Sequence, residues 1–140
     1  MIVENSWGYN LSKVAQKMDS QFAQQLEKIG LNYRDSRYYG ILLAIHSYPN
    51  LTQVKLGEEL NLDRTTIGQL IDQLEEKNFV ARERNPKDRR QNILVLTSKG
   101  KKAVKEMWQE MRAVEMAVIA NLSDNQKATF LAIAKAIRRK

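Results

Sequence analysis

The chain has 140 residues, 43% of them hydrophobic and 28% charged. That balance suits one folded domain burying roughly two-thirds of its unfolded surface and excludes the weakly hydrophobic composition of disordered chains. Lysine and arginine number 23 against 16 acidic residues, and the resulting +7 charge draws the molecule to polyanions, while the lack of cysteine excludes disulfides, thiolate metal sites and thiol redox switching.

Only two prolines and six glycines interrupt long runs of three-to-four residue apolar spacing, which predicts a mainly helical protein. A first helix is expected from about Tyr9 to Ile29, with Leu11, Val14, Ala15, Met18, Phe22, Leu26 and Ile29 on one stripe and Gly30 as its stop. A second, about Arg34 to Ser47, repeats Tyr38, Ile41, Leu42 and Ile45 on one face and ends at Pro49-Asn50. Thr52 is a natural N-cap for a short helix from about Gln53 to Leu60, with Leu56 and Leu60 inward. After the turn at Asn61-Leu62, Asp63 offers its carboxylate as the N-cap of a fourth helix, about Arg64 to Lys77, striped by Ile67, Leu70, Ile71 and Leu74. Two short helices joined by a tight turn form a helix-turn-helix signature.

The period then changes. Phe79 to Arg84 and Asn92 to Leu96 carry the β-branched and large apolar residues of strands, and the polar, turn-rich segment Asn85 to Gln91 between them predicts an exposed hairpin tip. Helical spacing returns from about Ser98 to Asn121 in Val104, Met107, Trp108, Met111, Val114, Val118 and Ile119. Ser123-Asp124-Asn125-Gln126 has the form of a capping box, and it opens a last helix, about Asp124 to Arg138, with Ala128, Leu131, Ala134 and Ile137 expected inward. The expected fold class is therefore mainly α with a small β-hairpin wing, a winged helix-turn-helix. The longest mainly apolar stretch, Tyr38 to Ile45, is too short to span a bilayer, and Met1 to Asn5 lacks a basic n-region, so a cytoplasmic location without membrane contact is expected.

A helix fits the major groove of DNA, where each base pair presents its own donors and acceptors, and a basic loop reaches the minor groove. Off the apolar stripe of the fourth helix lie Arg64, Thr65, Gly68, Gln69, Asp72 and Gln73. Arg64 can fork onto guanine, Gln69 can pair with adenine, and Thr65 can bond a base or a phosphate. Gly68 costs the helix about 1 kcal/mol relative to alanine, and both a close approach to DNA and room for a neighbouring helix would account for it. Residues 82 to 102 hold eight basic residues against two acidic ones, a net +6 of the total +7. Arg84, Lys87, Arg89 and Arg90 fall on or beside the hairpin tip. A charge run is by itself ordinary solvated surface, and its place behind a helix-turn-helix is what makes it a candidate interface.

Thr52-Gln53-x-x-Leu56, Leu60-x-Leu62-Asp63-Arg64-Thr65-Thr66-Ile67, Leu70-Ile71-x-x-Leu74-Glu75, Val80-x-Arg82, Asp88-Arg89-Arg90 and Leu96-Thr97-x-x-Gly100 occur in that order. Together they resemble the MarR family of bacterial winged-helix transcription regulators. Gly57 departs from the Ala, and Asn78 from the Gly, that the family usually has there.

The resemblance implies a homodimer on a double-stranded, pseudo-palindromic operator, with dimerisation helices in 1-33 and 103-140 and a DNA-binding lobe in 34-102. It carries the recognition-helix contacts over to Arg64, Thr65, Thr66 and Gln69, with Arg90 entering the minor groove and Asp88 holding it; Thr52, Gln53, Gln73, Arg84, Lys87 and Arg89 complete the candidate DNA-binding set. Many relatives are repressors released by a small aromatic or phenolic molecule, for which Trp7, Tyr9, Tyr38, His46, Trp108 and Met111 are the candidates. A cofactor is not expected, and zinc finds too few ligands where His46 is the lone histidine. The alternative is a winged-helix module for protein docking or RNA binding. An enzyme is disfavoured, since no phosphate loop, metal cluster or nucleophile-base pattern occurs, and Glu58-Glu59 and Glu75-Glu76 read as helix surface.

Overall fold

The computed structural model describes residues 1–28 and 38–139. After a short turn of 3-10 helix at Val3–Asn5, the chain forms α1 (Trp7–Lys28), α2 (Tyr39–Ser47), α3 (Gln53–Glu59), α4 (Arg64–Glu76), β1 (Val80–Arg84), β2 (Asn92–Leu96), α5 (Ser98–Val118) and α6 (Asp124–Arg138). The predicted Ile29, Gly30 and the Arg34 start of the second helix lie outside the described residues. α1 begins two residues before the expected Tyr9, because Ser6 Oγ accepts the Tyr9 N–H at 3.3 Å and acts as its cap.

Local chemistry explains the other boundaries. Thr52, Asp63, Thr97 and Ser123 each accept a backbone N–H in the first turn of α3, α4, α5 and α6, and Ser123 with Gln126 closes a full capping box. Asn50, Asn61 and Asn78 have φ of 58°, 53° and 64°, a left-handed conformation that asparagine tolerates better than other side chains and that lets the chain reverse after α2, α3 and α4.

β1 and β2 pair antiparallel in the register Val80↔Leu96 to Arg84↔Asn92. β2 is flanked on its other side by the segment before α3, where Thr52 bridges Ile93 and the Leu94 N–H donates to the Leu51 carbonyl at 2.9 Å. The hairpin is thereby anchored to the helix-turn-helix. One cluster joins Phe22 and Leu26 of α1, Ile41, Leu42 and Ile45 of α2, Leu56 of α3, Ile67, Ile71 and Leu74 of α4, Leu94 of β2, and Val104 and Met107 of α5. Tyr39 packs edge-on against Phe22 with ring centroids 5.1 Å apart, and burial, reinforced by the charge of Glu115, pushes its hydroxyl up to about 12.

Two expectations for the apolar stripes are corrected here. Among the described residues of the α1 stripe only Phe22 and Leu26 are buried, whereas Leu11 and Val14 are exposed. α6 buries no residue at all, and Leu131 and Ile137, expected inward, are 56% and 72% exposed. Among the described residues the buried cluster takes in Phe22 and Leu26 at the far end of α1 and no residue of α6, so the outer halves of these stripes face outward. Among the described residues no helix is long and apolar enough to cross a membrane.

Candidate nucleic-acid interface

α4 is held at its start by Asp63, whose Oδ1 accepts the Thr66 N–H at 2.7 Å, and hydrogen bonding from the Thr66 side chain, with that backbone bond, holds the Asp63 carboxyl below the ordinary range. Because Ile67, Ile71 and Leu74 turn into the core, the helical period leaves Arg64, Thr65, Gln69 and Gln73 exposed on the other side. Thr66 is half-buried between the two faces.

The hairpin tip, residues 85 to 91, is built from its own short contacts. Asn85 Oδ1 accepts the Lys87 N–H at 3.0 Å, and the Gln91 N–H donates to the Asp88 carbonyl at 3.1 Å. Asp88 accepts three bonds from Arg90: the backbone N–H at 3.0 Å, Nε at 3.2 Å and Nη2 at 3.4 Å. Arg90 holds the Asp88 carboxyl well below the usual carboxylate range, and in return its guanidinium is fixed while its side chain stays 91% exposed. Between this tip and the α3–α4 corner runs a groove of about 830 Å³, bordered by Gln53, Asn61, Arg64, Asp88, Arg90 and Asn92.

The root of the hairpin uses its cations differently. Arg82 points back over α4 and pairs with Asp72 at 2.9 Å and with Glu75, while its Nε donates to Gln53 Oε1 at 3.0 Å. Lys99 Nζ donates to the Lys77 carbonyl at 2.8 Å, closing the last turn of α4, and lies 4.8 Å from the Phe79 ring centroid. The +6 of residues 82 to 102 is therefore divided, and these two members face their own chain. Sequence reasoning missed the role of Arg82. Asp72 and Glu75, three residues apart on one helix face, were the available sign that a cation must meet them.

A MarR family model matches residues 37–91. The HTH-type transcriptional regulator SarZ of Staphylococcus aureus is 31% identical over 139 residues, covering 94% of this chain and 88% of that protein. The chain belongs to the MarR family. A further relative, the putative transcriptional regulatory protein for the hcr operon of Thauera aromatica, is 33% identical over 101 residues, covering 72% of this chain and 61% of that protein. The fold of this MarR-family regulator matches the transcriptional repressor CouR bound to a 23-mer DNA duplex, with a TM-score of 0.83 at 22% identity over 98% of this chain and 95% of that one. It also matches a mutant MarR from E. coli complexed with operator DNA, with a TM-score of 0.80 at 23% identity over 94% and 93% of the two chains.

Within the MarR-family frame, the structure brings Gln53, Arg64, Asp88 and Arg90 to one groove, with Thr65 and Gln69 on the adjoining face of α4 and Arg84, Lys87 and Arg89 exposed along the hairpin. Thr52 requires correction. It is 7% exposed, and its hydroxyl accepts the Lys55 N–H at 3.2 Å, so it caps α3 inside the protein instead of facing outward. Gln73 is exposed but its Oε1 already accepts the Tyr38 hydroxyl at 2.8 Å.

The six effector candidates differ in exposure. Tyr38 is buried against α4, Met111 packs on the core, Trp7 and Tyr9 are exposed on the first turn of α1, His46 is exposed near the end of α2, and Trp108 is half-exposed on α5. Trp7 borders instead a hollow with Leu11, Val14 and Phe130, where the outward stripes of α1 and α6 meet. Among the described residues no three His, Cys, Asp or Glu side chains gather to hold a metal.

Proposed function

We propose that this MarR-family chain is a sequence-specific, double-stranded DNA-binding repressor, acting from the cytoplasm as a homodimer on a pseudo-palindromic operator. The observation that carries this reading is the tip of the wing, where Asp88 sets an exposed Arg90 beside the polar face of α4 across one groove. In this reading Arg64, Thr65, Thr66, Gln69 and Gln73 meet the major groove, Arg84, Lys87, Arg89 and Arg90 meet the backbone and minor groove, and Gln53 meets a phosphate. The DNA-bound CouR and MarR folds support the same docking.

The homodimer is supported by the exposed Trp7, Leu11 and Val14 of α1 and Phe130, Leu131 and Ile137 of α6, large apolar side chains of the kind that mark protein–protein contact when they adjoin. Segments 1–33 and 103–140 then serve dimerisation and 34–102 forms the DNA-binding lobe. Both share one hydrophobic cluster, so a small aromatic or phenolic effector that shifts the dimer helices also shifts the lobe.

Selection of bound duplexes from a random pool, followed by gel-shift titration, tests this. One palindromic sequence should emerge. Arg90→Ala should weaken binding to all duplexes and lower the salt slope by about one unit. Arg64→Ala should cost about 1–3 kcal/mol and relax discrimination at one position. Equal, weak affinity for every duplex, or capture of RNA or a protein in place of DNA, defeats the reading. Leu131→Asp should give a monomer in sedimentation, and loss of the shift on adding aromatic acids tests the effector.

A further inference from the structure

A helix meant to lie along a polyanion carries, in α4, the carboxylates of Asp72, Glu75 and Glu76. Arg82 answers two of them. Its side chain is only 22% exposed, and its guanidinium spans three elements: from β1 it reaches Asp72 at 2.9 Å and Glu75 on α4, lies 3.5 Å from the Gly68 carbonyl, and donates through Nε to Gln53 Oε1 on α3 at 3.0 Å.

The last of these bonds has a chemical consequence. A guanidinium only donates hydrogen bonds, so the Gln53 amide must present its oxygen to Arg82 and turn its NH2 the other way. That nitrogen lies over Gly68, 3.6 Å from where a Cβ on Gly68 would stand. Among the described residues the amide's one side-chain bond is the one to Arg82, so both N–H groups are left to donate. Gln53 borders the groove that also holds Arg64 and Arg90, where an acceptor-rich polyanion is expected.

We propose that Arg82 is a positioning residue that orients the Gln53 amide, so that its NH2 meets a DNA phosphate oxygen as an already aligned donor. The inference rests on the DNA-binding reading above. Arg82 itself touches no phosphate: its charge is matched by Asp72 and Glu75, and it acts through Gln53.

The test uses the full chain and the duplex selected above, with affinity measured across a salt series for Arg82→Lys, Gln53→Ala and the two combined. Lysine keeps the charge and loses the fork. Each single change should weaken binding about tenfold, the scale of a hydrogen bond to a charged group, and the double variant should bind no worse than Gln53→Ala alone. Arg82→Lys should also leave the salt slope unchanged. If the two losses multiply to about a hundredfold, Arg82 acts independently of Gln53 and the proposal falls.

Gln53→Glu guards against a folding defect in the Arg82 variant. It keeps the acceptor for Arg82, removes both N–H donors, and should retain the thermal midpoint while losing tenfold or more in affinity. A folded Gln53→Glu that binds like the unchanged chain overturns the proposal. Uniformly weak binding by the unchanged chain would instead overturn the regulator reading itself, and this inference with it.

Discussion

The root and the tip of the wing belong to one strongly basic segment, yet they are built on opposite terms. At the root the contacts tie the end of α4 to the start of α5, and Thr97 also caps its own helix. The Thr97 hydroxyl lies 2.6 Å from the Asn78 carbonyl and accepts the Gly100 N–H at 3.0 Å, its backbone N–H donates to Phe79, and Lys99 reaches the Lys77 carbonyl. At the tip the contacts run between neighbours, as in Asn85 to Lys87 and Asp88 to Arg90. The lesson is that a count of charges along a segment does not give its field. At the root Arg82 is matched by Asp72 and Glu75 and Lys99 by the Lys77 carbonyl, whereas at the tip Arg90 stays 91% exposed beside Asp88 and Lys87 and Arg89 are exposed as well.

Substitutions should separate the two regions, and the largest effect should come at the root. A Cβ on Gly100 would stand 2.0 Å from the Phe79 carbonyl oxygen, which is backbone and cannot step aside. Gly100→Ala should therefore destabilise by about 3 kcal/mol in urea unfolding, and an unchanged midpoint would show that the root is not the tight joint it appears in its contacts. Next, Thr97→Ala removes the α5 cap together with the tie to Asn78 and should cost about 1–2 kcal/mol by the same measurement.

Smaller effects sharpen the contrast. A Cβ on Gly68 would meet the Gln53 amide at an ordinary contact distance, so Gly68→Ala should stabilise α4 by up to about 1 kcal/mol of helix propensity. If the same variant loses DNA affinity, Gly68 serves a close approach to the duplex as well. At the tip, Arg90→Ala should change unfolding by less than about 0.5 kcal/mol while altering the salt dependence of binding. The smallest effect is with pH. Asp88 has a lowered folded pKa, so its contribution to tip order is complete above the ordinary value of 3.8 and is lost as pH falls through the lowered one. Hydrogen exchange at the Arg90 amide should accelerate over that acid window while the Thr97 and Gly100 amides stay protected.

Much of the fold was legible because its signals are local. The cap residues Thr52, Asp63, Thr97 and Ser123 sit one position ahead of their helices, the left-handed turns fall on Asn50, Asn61 and Asn78, and β2 spans the expected Asn92–Leu96. The candidate site was legible only in part. Thr52 reads equally well as a cap and as a contact, and only its burial against β2 decides between them. Tyr38 reads as an amphipathic pocket residue, but it is buried and its hydroxyl donates to the exposed Gln73.

By itself the sequence determined the capped starts of α3, α4, α5 and α6, the winged-helix order of elements, and the placing of positive charge around the hairpin, because capping, turn chemistry and apolar period act over a few neighbouring residues. Tertiary structure alone decided which of those charges face outward, that Arg82 serves Gln53, Asp72 and Glu75, and that the stripes of α1 and α6 are left uncovered. Those outcomes depend on residues tens of positions apart meeting across a shared core, and no local pattern encodes which side chain will stand opposite which.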